Sequence, residues 1–489
     1  MRKLFFIAVF FPFSLFANNL QLQNLQVTGR HLELEISWEN CWKLDRAPFN
    51  HDAVWLFAKY QNAQGEWLHI DFSSNPSDHQ VGDTLLMIET VSDKKGLFIQ
   101  RRGLGSGEIP VIQLELLMDQ APLQAQAIKV FGIEMVYIPE GPFWIGDSLQ
   151  ANTFRRGDDS GPFHITSDAM IPTGTAADQL YNGGDFPPEA DIPATYPKGF
   201  EAFYLMKYEL TQEQYVDFLN CLSFDQQLEH TRISPASMAG RHALALTSSN
   251  PQRNGIIIES AGTVGGTPAR YTCEGAQDGI FFASDDGQNR ACNFLEWSDL
   301  AAYLDWAALR PITEFEFEKA SRGPEYPIPG GFAWGTDAVI DANTVIDDGT
   351  ATETVSESAT AQAGLASHGY AGPQGPLRSG FGGSANSNRL QIGGSYYGVL
   401  ELSGNLWELC VNVELTGLDF EGQPGDGQLD FNGLANEPLW PVSDGAGHRG
   451  GALNSGIVGP FRDLAISDRF YAGLFPSVRR NTSGGRGGR

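Results

Sequence analysis

Two carboxylates, Glu401 and Glu408, bracket a short turn that reads Glu401-Leu402-Ser403-Gly404-Asn405-Leu406-Trp407-Glu408. Calcium takes roughly six to eight hard oxygen ligands, and a tight loop that alternates carboxylates with backbone carbonyls can supply them. The other reading of this segment is two ordinary acids beside a core tryptophan. A second chemical feature is the C-terminal crowd of Arg462, Arg469, Arg479, Arg480, Arg486 and Arg489 in an otherwise acidic chain. Guanidinium forks pair with anions, so Arg479 and Arg480 are candidates for holding a carboxylate, peptide or glycan. Internal bracing of acidic loops is the alternative for the same residues.

Sulfur and imidazole offer less. The five cysteines, Cys41, Cys221, Cys273, Cys292 and Cys410, contain no CxxC pair, and an odd count leaves at least one thiol free in any intramolecular pairing. Cys273 and Cys292 flank a Gly/Asp-rich stretch and are the candidate pair, with buried free thiols an equal expectation. The nine histidines form no local pair of metal-binding spacing, so no zinc or iron site is written into one segment.

The elements that must position these residues belong to a chain of 489 residues with 32 Lys+Arg against 59 Asp+Glu, a net charge of −27. That balance repels phosphate backbones and anionic lipid, which excludes nucleic acid and polybasic membrane docking. With 42% hydrophobic residues and 56 Gly, the composition is that of a loop-rich globular protein with room for two or three cores. Arg2 and Lys3 precede an apolar run from Leu4 to Phe16 that closes at Ala17. This run is shorter than the roughly 20 residues of a membrane-spanning helix, so residues 1–17 read as an export signal that leaves no transmembrane anchor. The mature chain is expected to be secreted, periplasmic or at the cell surface.

Residues 18–130 alternate with period two, as in Leu32-Glu33-Leu34-Glu35-Ile36-Ser37-Trp38 and Val54-Trp55-Leu56-Phe57-Ala58-Lys59-Tyr60. Bounded by turn formers, they predict short half-buried strands in a β-sandwich module. Beyond residue 131 helices are few but clearly signalled. Thr211 and Gln214, and again Thr313 and Glu316, form capping boxes ahead of apolar faces, and Ser298 to Leu309 reads as an amphipathic or nearly buried helix. The stretches Ser234 to Gln288 and Thr336 to Gly394 read as long loops.

Several landmarks follow one another in a fixed order. They are Met135-Val136-Tyr137-Ile138-Pro139-Glu140-Gly141-Pro142-Phe143, then Tyr208-Glu209-Leu210-Thr211-Gln212-Glu213-Gln214-Tyr215, then Leu309-Arg310-Pro311-Ile312-Thr313-Glu314. Phe332-Ala333-Trp334-Gly335, the Glu401–Glu408 segment and Arg449-Gly450-Gly451 complete the set, followed by Ser467-Asp468-Arg469 and Gly485-Arg486. This series resembles the formylglycine-generating enzyme (sulfatase-modifying factor) family over residues 131–489. The resemblance implies an α+β fold in which an N-terminal β-sandwich is followed by a loop-rich, C-type-lectin-like domain.

It also implies where chemistry would sit. The family's oxidation of a substrate cysteine uses two copper-binding cysteines shortly after the Arg-Gly-Gly turn; here Ser455 stands at the first position and Pro460 at or beside the second. A hydroxyl is a poor Cu(I) ligand and proline supplies none, so copper chemistry is not expected and no catalytic residue is assigned. Iron-dependent relatives draw histidines from an added helical domain, which residues 18–130 do not resemble. Relatives hold calcium at the positions of Glu401, Gly404, Leu406 and Glu408, and a second calcium at those of Asn343, Thr344, Ser379 and Phe381, where Ser379 replaces the family's acid. The reading is an exported, non-catalytic binding or surface-assembly protein with calcium as its cofactor. Its partner would be a protein, peptide, glycan or further copies of itself. The alternative is a divergent oxidoreductase of the same family.

Overall fold

The computed structural model of the chain describes residues 20–122, 124–149, 152–182, 184–247, 249–281, 283–369, 372–383, 387–457 and 462–489. The export signal expected at residues 1–17 and the position of Pro460 lie outside these. The N-terminal strands are β1 (Gln21–Thr28), β2 (His31–Lys43), β3 (Asp52–Gln61), β4 (Trp67–Ile70), β5 (Gln80–Val81), β6 (Leu86–Thr90), β7 (Leu97–Arg101), β8 (Gly105–Leu117) and β9 (Ala127–Ile138). Four short strands follow, β10 (Phe143–Ile145), β11 (Phe154–Arg156), β12 (Phe163–Ile165) and β13 (Leu180–Asn182), and then β14 (Phe203–Met206).

One sheet runs β1-β2-β8-β5, and a second runs β14-β9-β3-β7-β6 with β4 also paired to β3. The alternation in β2 works as its spacing requires: Leu32, Leu34, Ile36 and Trp38 are buried, while Glu33, Glu35 and Ser37 are half-buried. They share a core with Val54, Leu56 and Ala58 of β3 and with Leu114 and Leu116 of β8.

β3 departs from the half-buried strand that its sequence predicts. Residues Asp52–Lys59 are buried on both faces, because Ala53, Trp55 and Phe57 enter a different core with Tyr215, Phe218 and Trp306. The second sheet therefore stands between two cores, which explains the near-continuous apolar run of β3. The expected boundary at residue 130/131 falls inside β9, which pairs with β3 on one side and, near its end, with β14 on the other. Polar ties reinforce the join: the Trp55 indole donates to the Ala307 carbonyl at 2.9 Å, and Lys59 Nζ donates to the Gly427 carbonyl at 2.6 Å.

The helices are α1 (Gln212–Leu219), α2 (Phe224–His230), α3 (Trp297–Trp306) and α4 (Glu314–Arg322). Capping boxes at Thr211/Gln214 and Thr313/Glu316 close the orphan amides of α1 and α4, and Ser223/Gln226 does the same for α2. α4 stops at Gly323, whose φ of 69° is costly for any residue with a Cβ. No helix among the described residues is long and apolar enough to cross a membrane. All five cysteines, including Cys273 and Cys292, are buried free thiols.

Candidate functional site

The strand Trp407–Val411 pairs antiparallel with Ala446–Arg449 and parallel with Ser483–Gly484. This register carries Arg486, two residues past the short partner strand, onto Glu408. Arg486 Nε lies 2.9 and 2.8 Å from the two carboxylate oxygens, and its Nη2 donates to Oε1 at 2.5 Å. Both residues are fully buried. Arg486 also donates to the Leu400, Met206 and Lys207 carbonyls, so one guanidinium ties three segments together.

Glu401 is arranged differently. It sits at φ 58°, where Oε1 accepts from the Gly380 amide at 3.0 Å, while Oε2 is buried with no hydrogen-bond partner. Beside it lies Glu209, a residue passed over in the sequence although it belongs to the Tyr208–Thr211 landmark. Its Oε2 accepts from Asn405 Nδ2 at 2.5 Å and its Oε1 from the Leu406 amide at 3.0 Å, which fixes the Gly404–Leu406 turn.

Burial pushes the Glu401 carboxyl up to about 7, against the opposing pull of Arg486. Burial and the Glu401 charge hold Glu209 well above the usual carboxylate range, and burial also raises Glu408. The cluster thus holds three buried carboxylates around one bound guanidinium. The donor set is hard oxygen, and the unpartnered Glu401 Oε2 is the group that a cation would complete. Glu408 has both oxygens committed to Arg486, so of the two acids that frame the turn only Glu401 offers an open ligand atom.

Of the second set of expected calcium residues, Ser379 reaches this cluster. Ser379 Oγ donates to the Glu209 carbonyl at 3.2 Å, and the next residue, Gly380, binds Glu401. Ala342 and Phe381 pack in one small core. Asn343 Oδ1 is buried without a partner, and the Asn343 and Thr344 amides donate to Glu357 Oε2 at 3.3 and 3.1 Å. Two carbonyls are already used: that of Thr344 accepts from the Ser356 amide and that of Phe381 from Thr354 Oγ1. Asn343 therefore fits a hard cation through its side chain, with Glu357 an unexpected acid beside it.

Ser455 closes a turn. Its Oγ accepts from the Ala452 amide at 2.9 Å, and its hydroxyl bonds the Asp463 carboxylate. Cys410, the cysteine nearest in sequence, is buried, and burial followed by the Glu408 charge pushes its thiol well above the ordinary range.

Of the C-terminal arginines, Arg469, Arg479, Arg486 and Arg489 pair with acids of the chain itself. Arg479 donates from Nε and Nη2 to both oxygens of buried Asp299 at 2.7 Å, and Arg469 grips Glu314 at 2.6 and 2.8 Å. Arg449 reaches both Glu314 and Glu318, and Arg480 lies over the Phe475 ring at 3.8 Å. Near this stacked pair opens a groove of about 600 Å³, lined by Glu189, Glu414, Leu415, Asp444, Phe475 and Val478 among others. Leu415, Phe475 and Val478 are exposed, and Phe475 is held at φ 59°, an outlier for a bulky side chain. Acids and exposed apolar side chains line it together, a combination no single sequence segment announces because its residues come from four separate stretches.

Comparison with known proteins is consistent with this geometry. The model of the sulfatase-modifying factor enzyme 1-like domain matches residues 124–414, which begins just ahead of β9 and ends before the Arg449–Gly451 turn. No curated protein matches the chain. The family model spans more than half of the sequence, and the chain belongs to the sulfatase-modifying factor (formylglycine-generating enzyme) family.

Proposed function

We propose that this chain is an exported, non-catalytic binding protein that uses the family frame, stabilised by calcium, to hold a basic and apolar segment of a partner. The observation that carries the binding role is the groove at Phe475, lined by Glu189, Glu414 and Asp444 together with Leu415, Val478 and the exposed ring. A lysine or arginine side chain suits it, its methylenes lying against the apolar side chains and its charge meeting the acids. Calcium would supply positive charge at two places, with Glu401 Oε2 holding one ion in the buried acid cluster and Asn343 Oδ1 holding a second. The absence of catalysis is supported by Ser455, whose hydroxyl is used in a turn at the position where the family's chemistry needs sulfur. The N-terminal strands serve in this reading as a sandwich-like docking module fixed to the family domain through β9.

Fluorescence anisotropy with a labelled lysine-rich, apolar peptide tests the groove. Binding to the intact chain, weakened at least tenfold in a Glu414→Gln, Asp444→Asn double variant of unchanged melting temperature, is the expected result. Equal binding by the double variant contradicts the assignment.

A further inference from the structure

β9 has two edges, and only one is used along its length. It pairs with β3 from Ala127 to Val136, but on the other side β14 covers only Met135 to Ile138. At the end of that short ladder the Lys207 amide donates to the Glu134 carbonyl at 2.9 Å. In an antiparallel ladder the N–H and C=O of one residue point to the same side, and the side alternates along the strand. Glu134 points away from β3, so Gly132, Val130 and Ile128 do too, and no strand among the described residues pairs with them there. Such an edge is a template for another chain.

The space beside this edge is open. A cavity of about 730 Å³ is lined by Ile128 through Glu134 on one side and by residues of α1 on the other. Phe131 and Ile133 belong to the core on one face of β9, whereas Ile128 and Val130 pack against the core on the other. A strand added here would therefore meet apolar surface on both its faces. From Ile128 to Gly132 the edge presents about 17 Å, at roughly 3.4 Å per residue, enough for a five-residue ladder. Of the acids that line the cleft, Glu134 pairs with Lys207 at 3.0 Å, Asp217 with Lys129 at 3.7 Å, and buried Glu209 accepts from Asn405 and the Leu406 amide, so the preference for charge comes from the molecule as a whole. With a net charge of −27 on the chain, a second copy is repelled and a basic segment is favoured.

We infer that the outer edge of β9 accepts an extended segment of a partner protein as an added strand, apolar on both faces and basic at its ends. Main-chain hydrogen bonds to Ile128, Val130 and Gly132 supply affinity, and the two apolar faces select the side chains. This surface is separate from the groove at Phe475 and does not rest on the calcium reading.

The test uses the full chain and a synthetic peptide of alternating valine, isoleucine and threonine with a lysine at each end. Hydrogen exchange at the Ile128, Val130 and Gly132 amides is expected to slow at least tenfold at saturating peptide. The same peptide N-methylated at alternate amides is expected to lose binding, and one with glutamates at its ends to bind at least tenfold more weakly. Val130→Pro removes an open-side donor at a position where an edge proline is tolerated, and is expected to weaken binding tenfold with little change in melting temperature. Should that variant unfold, the N-methylated peptide on the unaltered chain decides. Amides already protected without peptide, showing the edge filled by the chain itself, would overturn the inference. So would unchanged exchange with peptide, equal binding of the methylated peptide, or full binding by a folded Val130→Pro chain.

Discussion

Glu401 holds a carboxylate oxygen in the protein interior with nothing to receive it, and that single atom has consequences that can be measured. Its carboxyl is raised to about 7, above the ordinary glutamate value, by burial. The calcium-free folded state therefore binds more protons at this site than the unfolded chain between about pH 4.5 and 7, and its stability falls as pH rises through that window. Calcium should remove the fall by occupying the ionised form. Thermal melts across this range, with and without calcium, are expected to show a calcium-dependent rise in Tm that is largest near neutral pH and lost in Glu401→Gln. Metal analysis of the purified protein should find calcium in the unaltered chain.

Glu408 behaves oppositely, because its charge is already met by Arg486. Arg486→Met leaves a buried acid unpaired and should cost roughly 3–5 kcal/mol in denaturant unfolding. The carboxylates were visible in the sequence; their different fates were not. Which acid takes the arginine depends on a parallel pairing between residues 407–408 and 483–484 that no local pattern encodes. Glu209 was missed for the same reason, since it reaches the cluster from a segment almost two hundred residues away.

At the scale of elements, the helices were the most legible part. The boxes at Thr211 and Thr313 mark the starts of α1 and α4 because a short side chain and a reaching Glu or Gln solve the same local problem wherever a helix begins. Thr313→Ala should cost about 1–2 kcal/mol by chemical denaturation, with a share from its added bond to the Pro197 carbonyl. The predicted end of α3 near Leu309 overshoots, as the helix closes at Trp306 and Ala308 turns to φ 53°. β3 and β9 were harder to read. A strand covered on both faces loses its alternation, and a strand shared between two cores offers no boundary in composition. The long loops were recognised only as loops, although Glu353 holds Arg253, Arg290 and the Arg378 backbone together within them.

For the whole molecule, the acidity noted in the composition resolves into two populations. Some acids are internal partners of arginines, as along α4, where Glu314, Glu316 and Glu318 each meet a guanidinium. Others line the groove at Phe475, where in the proposed reading they favour basic partners. The account's central claim is that this family member binds without oxidising. Its most direct test is the mass of a cysteine-containing peptide after incubation with the purified chain, copper and oxygen. An unchanged cysteine beside a competent family enzyme that converts it is the expected result, and enzyme-dependent conversion of that cysteine to formylglycine by this chain would contradict the claim.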